Sequence, residues 1–136
     1  MSPKRKWWIW AIVLVVLLAA LAVFLRGYLP GASDGLPDED KMPAIKVVVV
    51  NGCGYVGLAS EYEKYIVSKN IDVIRLENTR RPLYDKSIIV VKKEDKQDLE
   101  RLMKMTGIQR WTMALSEHAD VPFIIILGRD YEEFMN

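Results

Sequence analysis

"VVVVNGCGYVGLAS", residues 47–60, decides how the rest of the chain is read. A run of β-branched residues enters a glycine triplet, Gly52, Gly54 and Gly57, and a helical pattern leaves it. G-x-G-x-x-G between a strand and a helix is the fingerprint of a dinucleotide-binding turn, whose glycines let the backbone approach a pyrophosphate. Glu77, twenty residues past Gly57, stands where a ribose-binding acid is expected in that fold. The surroundings argue against it. A dinucleotide fold is built from two mononucleotide-binding halves, and only one strand–helix–strand crossover precedes Glu77. The same glycines serve a tight strand-to-helix turn, with Asn51 hydrogen-bonding the turn's backbone. A third reading is a weak anion site, because such a turn presents free N–H groups and the positive end of the helix dipole.

Working outward, "IKVVVV" (45–50) reads as a strand buried on both faces. Leu58, Tyr62 and Ile66 recur every four residues with Ala59 alongside, while Glu61, Glu63, Lys64 and Lys69 face water, which predicts a helix. Asn70 is placed to end it in the left-handed conformation. "IDVIRLE" (71–77) is the second strand, joined to the first by a right-handed parallel crossover. "NTRRPLYDK" (78–86) is a loop and "SIIVVKK" (87–93) a third strand. Asp95 caps a second helix whose stripe is Leu99, Leu102, Met103 and Thr106, and Gly107 ends it. "IQRWTMAL" (108–115) is a weak fourth strand, "SEHADVP" (116–122) a connection, "FIIILG" (123–128) a strong last strand and "RDYEEFMN" the tail. The expected fold is α/β: a small two-layer domain with a mostly parallel sheet of four or five strands and two helices covering one face.

The 136 residues carry a net charge of +1, unevenly spread. Lys4, Arg5, Lys6 and Arg26 put +4 on the first 26 residues and leave −3 on the other 110. With no basic stripe on the folded part, nucleic acid is not an expected partner. Cys53 is the only cysteine and His118 the only histidine. An internal disulfide is excluded, and no metal site is expected. Cys53 beside a helix start could be a reactive thiol, but a catalytic one needs a base, and His118 lies 65 residues away. His118 reads as a polar loop residue.

Before the domain, Trp7 to Leu25 is an uncharged run of 19 residues. As a helix it rises about 28 Å, close to the hydrocarbon thickness of a bilayer. Trp7, Trp8 and Trp10 at one end and Tyr28 at the other suit the two interfaces. Three cations precede the span and Arg26 follows it, which places residues 1–6 in the cytoplasm and the domain outside. Ala20-Leu21-Ala22 resembles a signal-peptide cleavage site, but the apolar run is already long there and continues to Leu25; an uncleaved single-pass anchor in the cytoplasmic membrane is expected. Residues 26–43, with three prolines, three glycines and four acids, read as a flexible acidic tether. The folded domain is expected over 44–136. Outside the cytoplasm nicotinamide cofactors are scarce, and no cofactor is expected.

The glycine turn, the strand and asparagine that follow the first helix, and the closing "IIILGRDY" together resemble the LytR C-terminal domain. In that family a strand runs into N-G-S/T-G-x-x-G-L-A, matched here by Asn51, Gly52, Gly54, Gly57, Leu58 and Ala59. The family closes with L-G-x-D-Y/F, matched by Leu127, Gly128, Asp130 and Tyr131, and Asn78 fits a recurrent asparagine after the second strand. The resemblance spans about residues 45–131. Cys53 departs from the usual Ser or Thr, so no role there rests on a hydroxyl. In the LytR–CpsA–Psr group this domain often follows a catalytic domain that transfers glycopolymers to peptidoglycan. The 18-residue tether leaves no room for one, so that activity is not carried over.

These readings converge on a membrane-anchored, extracytoplasmic envelope module without catalysis. Its expected partners are a wall component, such as peptidoglycan or an anionic wall polymer, or envelope proteins. Asn51, Gly52, Gly54 and Gly57, with Asn78 and Arg129, Asp130 and Tyr131, are the candidate contact residues. A scaffold that binds only protein is the alternative, and a dinucleotide enzyme the remote one. Arg80-Arg81-Pro82 reads first as a solvated basic turn. The closing Arg129–Tyr131 reads either as a structural closure or as a partner surface.

Overall fold

The computed structural model describes residues 4–28, 38–81 and 84–136. It divides into two compact units, Met1–Lys41 and Met42–Asn136. The first holds a single long helix, α1 (Lys4–Tyr28). Its stretch Lys6–Leu25 is long and apolar enough to cross a membrane, and every side chain along it is exposed. Most of the expected tether, residues 29–37, lies outside the described residues. Where the sequence predicts no structure, Glu39–Lys41 forms one turn of 3₁₀ helix, closed by the Lys41 N–H on the Asp38 carbonyl at 2.8 Å.

The second unit is a five-stranded sheet with two helices on one face. Its elements are β1 (Ile45–Asn51), α2 (Leu58–Ile66), β2 (Ile71–Asn78), β3 (Ile88–Val91), α3 (Lys96–Thr106), β4 (Trp111–Met113) and β5 (Phe123–Leu127). A last 3₁₀ turn covers Tyr131–Phe134. The strand order is β2-β1-β5-β3-β4. β1 pairs in parallel with β2 and β5, and β3 with β4, while β5 runs antiparallel to β3. The expected α/β architecture with a mostly parallel sheet is the one observed.

Local chemistry sets the element ends. Asn70, expected to end α2, does not: the helix stops at Ile66 with Val67 as its cap, and Asn70, at φ of 56°, closes the turn that leads into β2. Asp95 caps α3, its carboxylate accepting the Asp98 N–H at 2.9 Å, and Gly107 ends the helix at φ of 77°. The core lies between the helices and one sheet face, with Val47, Val49, Ile89, Val91, Phe123 and Ile125 from the strands. Leu58, Tyr62, Ile66, Leu99 and Leu102 meet them from the helices. Ile108, expected to open the fourth strand, is instead a core residue ahead of β4.

Arg101, on the buried side of α3, is 1% exposed. Its guanidinium donates to Asp98 at 2.6 Å and to the Pro43 carbonyl at 3.1 Å. Asn70 Nδ2 donates to the Met42 carbonyl at 3.0 Å. Two side chains thus fix the lead-in to β1 at one end of the sheet. The residues of the glycine turn stand at the other end of the same strand.

The two outer strands differ. β2 carries Asp72, Arg75 and Glu77, and its register with β1 shifts at Val47/Val48, leaving Ile74 as an extra residue. Arg75 bonds Glu77 and Asp120, each at 2.6 Å, and this pairing holds the Asp120 carboxyl below its ordinary value. β4 is uncharged and pairs with β3 without a shift.

Candidate functional site

Asn51 ends β1 and is buried. Its Oδ1 accepts the N–H groups of Cys53 at 3.3 Å and Gly54 at 3.2 Å, and the Cys53 thiol at 3.7 Å. Its Nδ2 donates to the Tyr55 carbonyl. The turn is therefore wound around one asparagine side chain, as an Asx-turn. The Asn51 carbonyl accepts both the N–H and the hydroxyl of Thr79, at 3.0 and 3.2 Å, which ties the end of β2 to the same place.

Gly52 donates its N–H to the Leu127 carbonyl at 2.8 Å and accepts the Tyr84 N–H at 3.2 Å. A Cβ on Gly52 would sit 2.8 Å from that carbonyl oxygen and 2.9 Å from the Tyr84 ring. Only glycine fits this approach. Gly54 and Gly57 take φ of 81° and 79°, the left-handed region that glycine enters freely.

The closing motif is built on the same plan. A Cβ on Gly128 would lie between 2.5 and 2.8 Å from main-chain atoms of Lys86. The Gly128 N–H donates to the Ser87 hydroxyl at 3.0 Å, and that hydroxyl donates to Asp130 at 2.7 Å. The same carboxylate oxygen accepts the Ser87 N–H at 2.7 Å. Asp130 is thus the acceptor that closes β5 onto the start of β3. Tyr131 packs against the core, its ring 5.6 Å from that of Tyr55. Loss of hydration raises its phenol, helped by Glu132, Tyr55, Cys53 and Glu61, so the hydroxyl stays a neutral donor.

Because β1, β2 and β5 run the same way, the structure brings Asn51, Gly52, Gly54, Gly57, Asn78, Arg129, Asp130 and Tyr131 to one rim of the sheet. They divide into two groups. Asn51, Gly52, Asp130 and Tyr131 turn inward and are engaged by the fold. Gly54, Gly57, Asn78 and Arg129 are exposed. Arg129 meets Asp85 at 3.5 Å with both side chains in water, a pair worth little to stability. Arg80 and Arg81 are exposed near the rim, and Pro82 lies outside the described residues.

The most outward part of the rim was missed in the sequence. Tyr55 is half exposed and Val56 is 92% exposed, at the tip of the glycine turn. A tyrosine and a valine between turn glycines, away from any apolar period, are the signal that marks them. Ser87 carried no signal, since its partner is 43 residues away.

The geometry also weighs the chemical readings. The amides of Cys53 and Gly54, which a dinucleotide turn directs at a pyrophosphate, point at Asn51 Oδ1. Glu77 bonds Arg75 on its own strand. Glu61 adds a negative charge to the first turn of α2, which disfavours an anion there. Cys53 packs on the core at the rim. His118 lies in the connection from β4 to β5, which meets the sheet at its opposite end beside Val91 and Phe123. The two cannot act as a nucleophile and base.

A rim assembled from a glycine turn and a closing Gly-x-Asp-Tyr, on a small α/β domain, defines the class. The model of the LytR cell envelope-related transcriptional attenuator family matches residues 44–131, well over half of the chain. The chain belongs to this family and carries its cell-envelope-associated domain, preceded by a helix long and apolar enough to cross a membrane. No curated protein and no solved structure matches it.

Proposed function

We propose that this is a single-pass envelope protein whose domain, held outside the cytoplasmic membrane, binds a wall component or a partner protein through the glycine rim and catalyses no reaction. In this reading residues 1–6 are cytoplasmic, 7–25 span the membrane, 26–43 are the tether and 44–136 the binding domain. One observation carries the reading: both family motifs meet on a single rim, at the end of β1 away from the lead-in at Met42 and Pro43. β1 has seven residues and so puts roughly 20 Å between its two ends. The rim is thus at the far end of β1 from Met42 and Pro43.

The exposed chemistry suits a peptidoglycan strand or an anionic wall polymer. Tyr55 offers an apolar ring with a polar tip, and Arg80, Arg81 and Arg129 offer guanidinium groups for phosphates or carboxylates. The second reading, a scaffold that binds only protein, is favoured by Val56, an exposed aliphatic side chain at the tip. Nucleic acid is in neither reading.

The test is retention of the full chain, in detergent micelles, on isolated cell-wall sacculi, beside Val56→Asp and Tyr55→Ala. The expected result is retention that both substitutions reduce at unchanged circular dichroism. Failure of the unaltered protein to be retained would remove the wall component and leave the protein partner.

A further inference from the structure

The other side of the domain carries a surface that the rim does not explain. β4 is the outer strand on that side of the sheet. The Ile89 N–H bonds the Arg110 carbonyl, the Ala114 N–H bonds the Val91 carbonyl and the Ser116 N–H bonds the Lys92 carbonyl. The even-numbered residues therefore face β3. Strand geometry then points the N–H and C=O groups of Trp111 and Met113 away from the sheet, where they are unpaired among the described residues.

The side chains of Trp111 and Met113 share one face, the helix face, since Ile89 and Val91 of the core stand beside them. They are 45 and 51% exposed. Between β4 and α3 lies an apolar groove of about 310 Å³, floored by Val91, Leu99, Met103, Trp111 and Met113. Its mouth carries Glu94, Asp95 and Glu100 against the single cation Lys96.

Outer strands with free amides are normally guarded by charges, bulges or brevity, because they recruit other chains. β2 has two of these devices, charges and a bulge. β4 has only its shortness. A free strand edge beside pockets for alternate side chains is the arrangement that takes an added strand, main-chain bonds supplying affinity and the pockets specificity.

We infer that the β4 edge and the α3 groove bind an extended segment of a partner protein, with apolar residues at alternate positions and a lysine or arginine beside Glu94 and Glu100. The negative mouth selects the basic residue by charge complementarity. It also disfavours a second copy of this chain, which would bring an equally acidic groove to the edge. This site is separate from the rim and does not depend on what the rim binds.

The experiment uses the full chain in nanodiscs, panned against a library of short random peptides, with the best binder then synthesised. The expected binder alternates apolar residues and carries a lysine or arginine. Met113→Lys should weaken it at least about tenfold, as should N-methylation of the peptide amides that face the edge. Glu100→Lys, an exposed change that leaves the fold intact, should weaken the basic peptide and favour an analogue with glutamate in its place. Three results would overturn the inference: no saturable binder, binding indifferent to Met113→Lys and to N-methylation, or sedimentation showing a dimer that Met113→Lys dissolves.

Discussion

The two sides of this sheet have opposite characters. On the β2–β1–β5 side the strands run together into a rim where the motif residues are spent on one another. Asn51 holds the turn, Gly52 meets Leu127, and Asp130 holds Ser87. On the β4 side the chain leaves an apolar strand and its outward amides uncovered. Identity to a family motif therefore does not measure availability for contact. The most recognisable residues of the rim are largely structural, and its exposed tip, Tyr55 and Val56, lies between them.

The contrast makes substitution costs steep at the rim and shallow at the edge. Gly128→Ala is the hardest test. The new methyl group would overlap main-chain atoms of Lys86 at 2.5 to 2.8 Å, and main chain cannot turn aside as a flexible side chain can. We expect a loss of about 3 kcal/mol in denaturant unfolding. A loss well under about 1 kcal/mol would mean that the β5–β3 closure is looser than described.

Asp130→Ala comes next. It leaves the buried Ser87 N–H and hydroxyl without their charged acceptor, at a cost of about 2 kcal/mol. If the same variant bound its partner normally once folded, Asp130 would be a closure residue alone.

How much of this was legible in the sequence follows from the range of the interactions involved. The glycine turn, the Asp95 cap, the Gly107 stop and the apolar stripes are all set by neighbours within a few residues, and each stands where the sequence put it; α2 ends earlier, at Ile66, and Asn70 closes the turn that follows. The rim could be nominated because its residues end strands or sit in turns. The antiparallel seating of β5 against β3, the Ser87–Asp130 bond and the burial of Arg101 are long-range events with no local signature. Asp98 three residues before Arg101 was the one hint, and on an exposed helix face the same pair is ordinary. The openness of β4 was illegible because a strand's neighbours, and so its edges, are set by topology.

Tyr62 tests the closed side from within. It is fully buried under α2, its hydroxyl has no hydrogen-bond partner among the described residues, and burial pushes its phenol above the ordinary value. An unsatisfied buried hydroxyl destabilises, so Tyr62→Phe should raise stability by about 1 kcal/mol. A loss of that size would instead reveal a partner for the hydroxyl, such as an internal water.

The smallest expected effect says most about the open side. Met113 is half exposed and sits on a strand bonded only along its inner edge, so its replacement removes little buried area. Threonine has the stronger strand preference and offsets part of that loss. Met113→Thr should therefore leave unfolding within about 0.5 kcal/mol of the parent. The same change removes an apolar wall of the α3 groove, and it should weaken the selected peptide while sacculus retention through the rim stays as it was. A destabilisation comparable to that of Asp130→Ala would show that the edge is bound into the fold as firmly as the rim, and the contrast between the two sides would be gone.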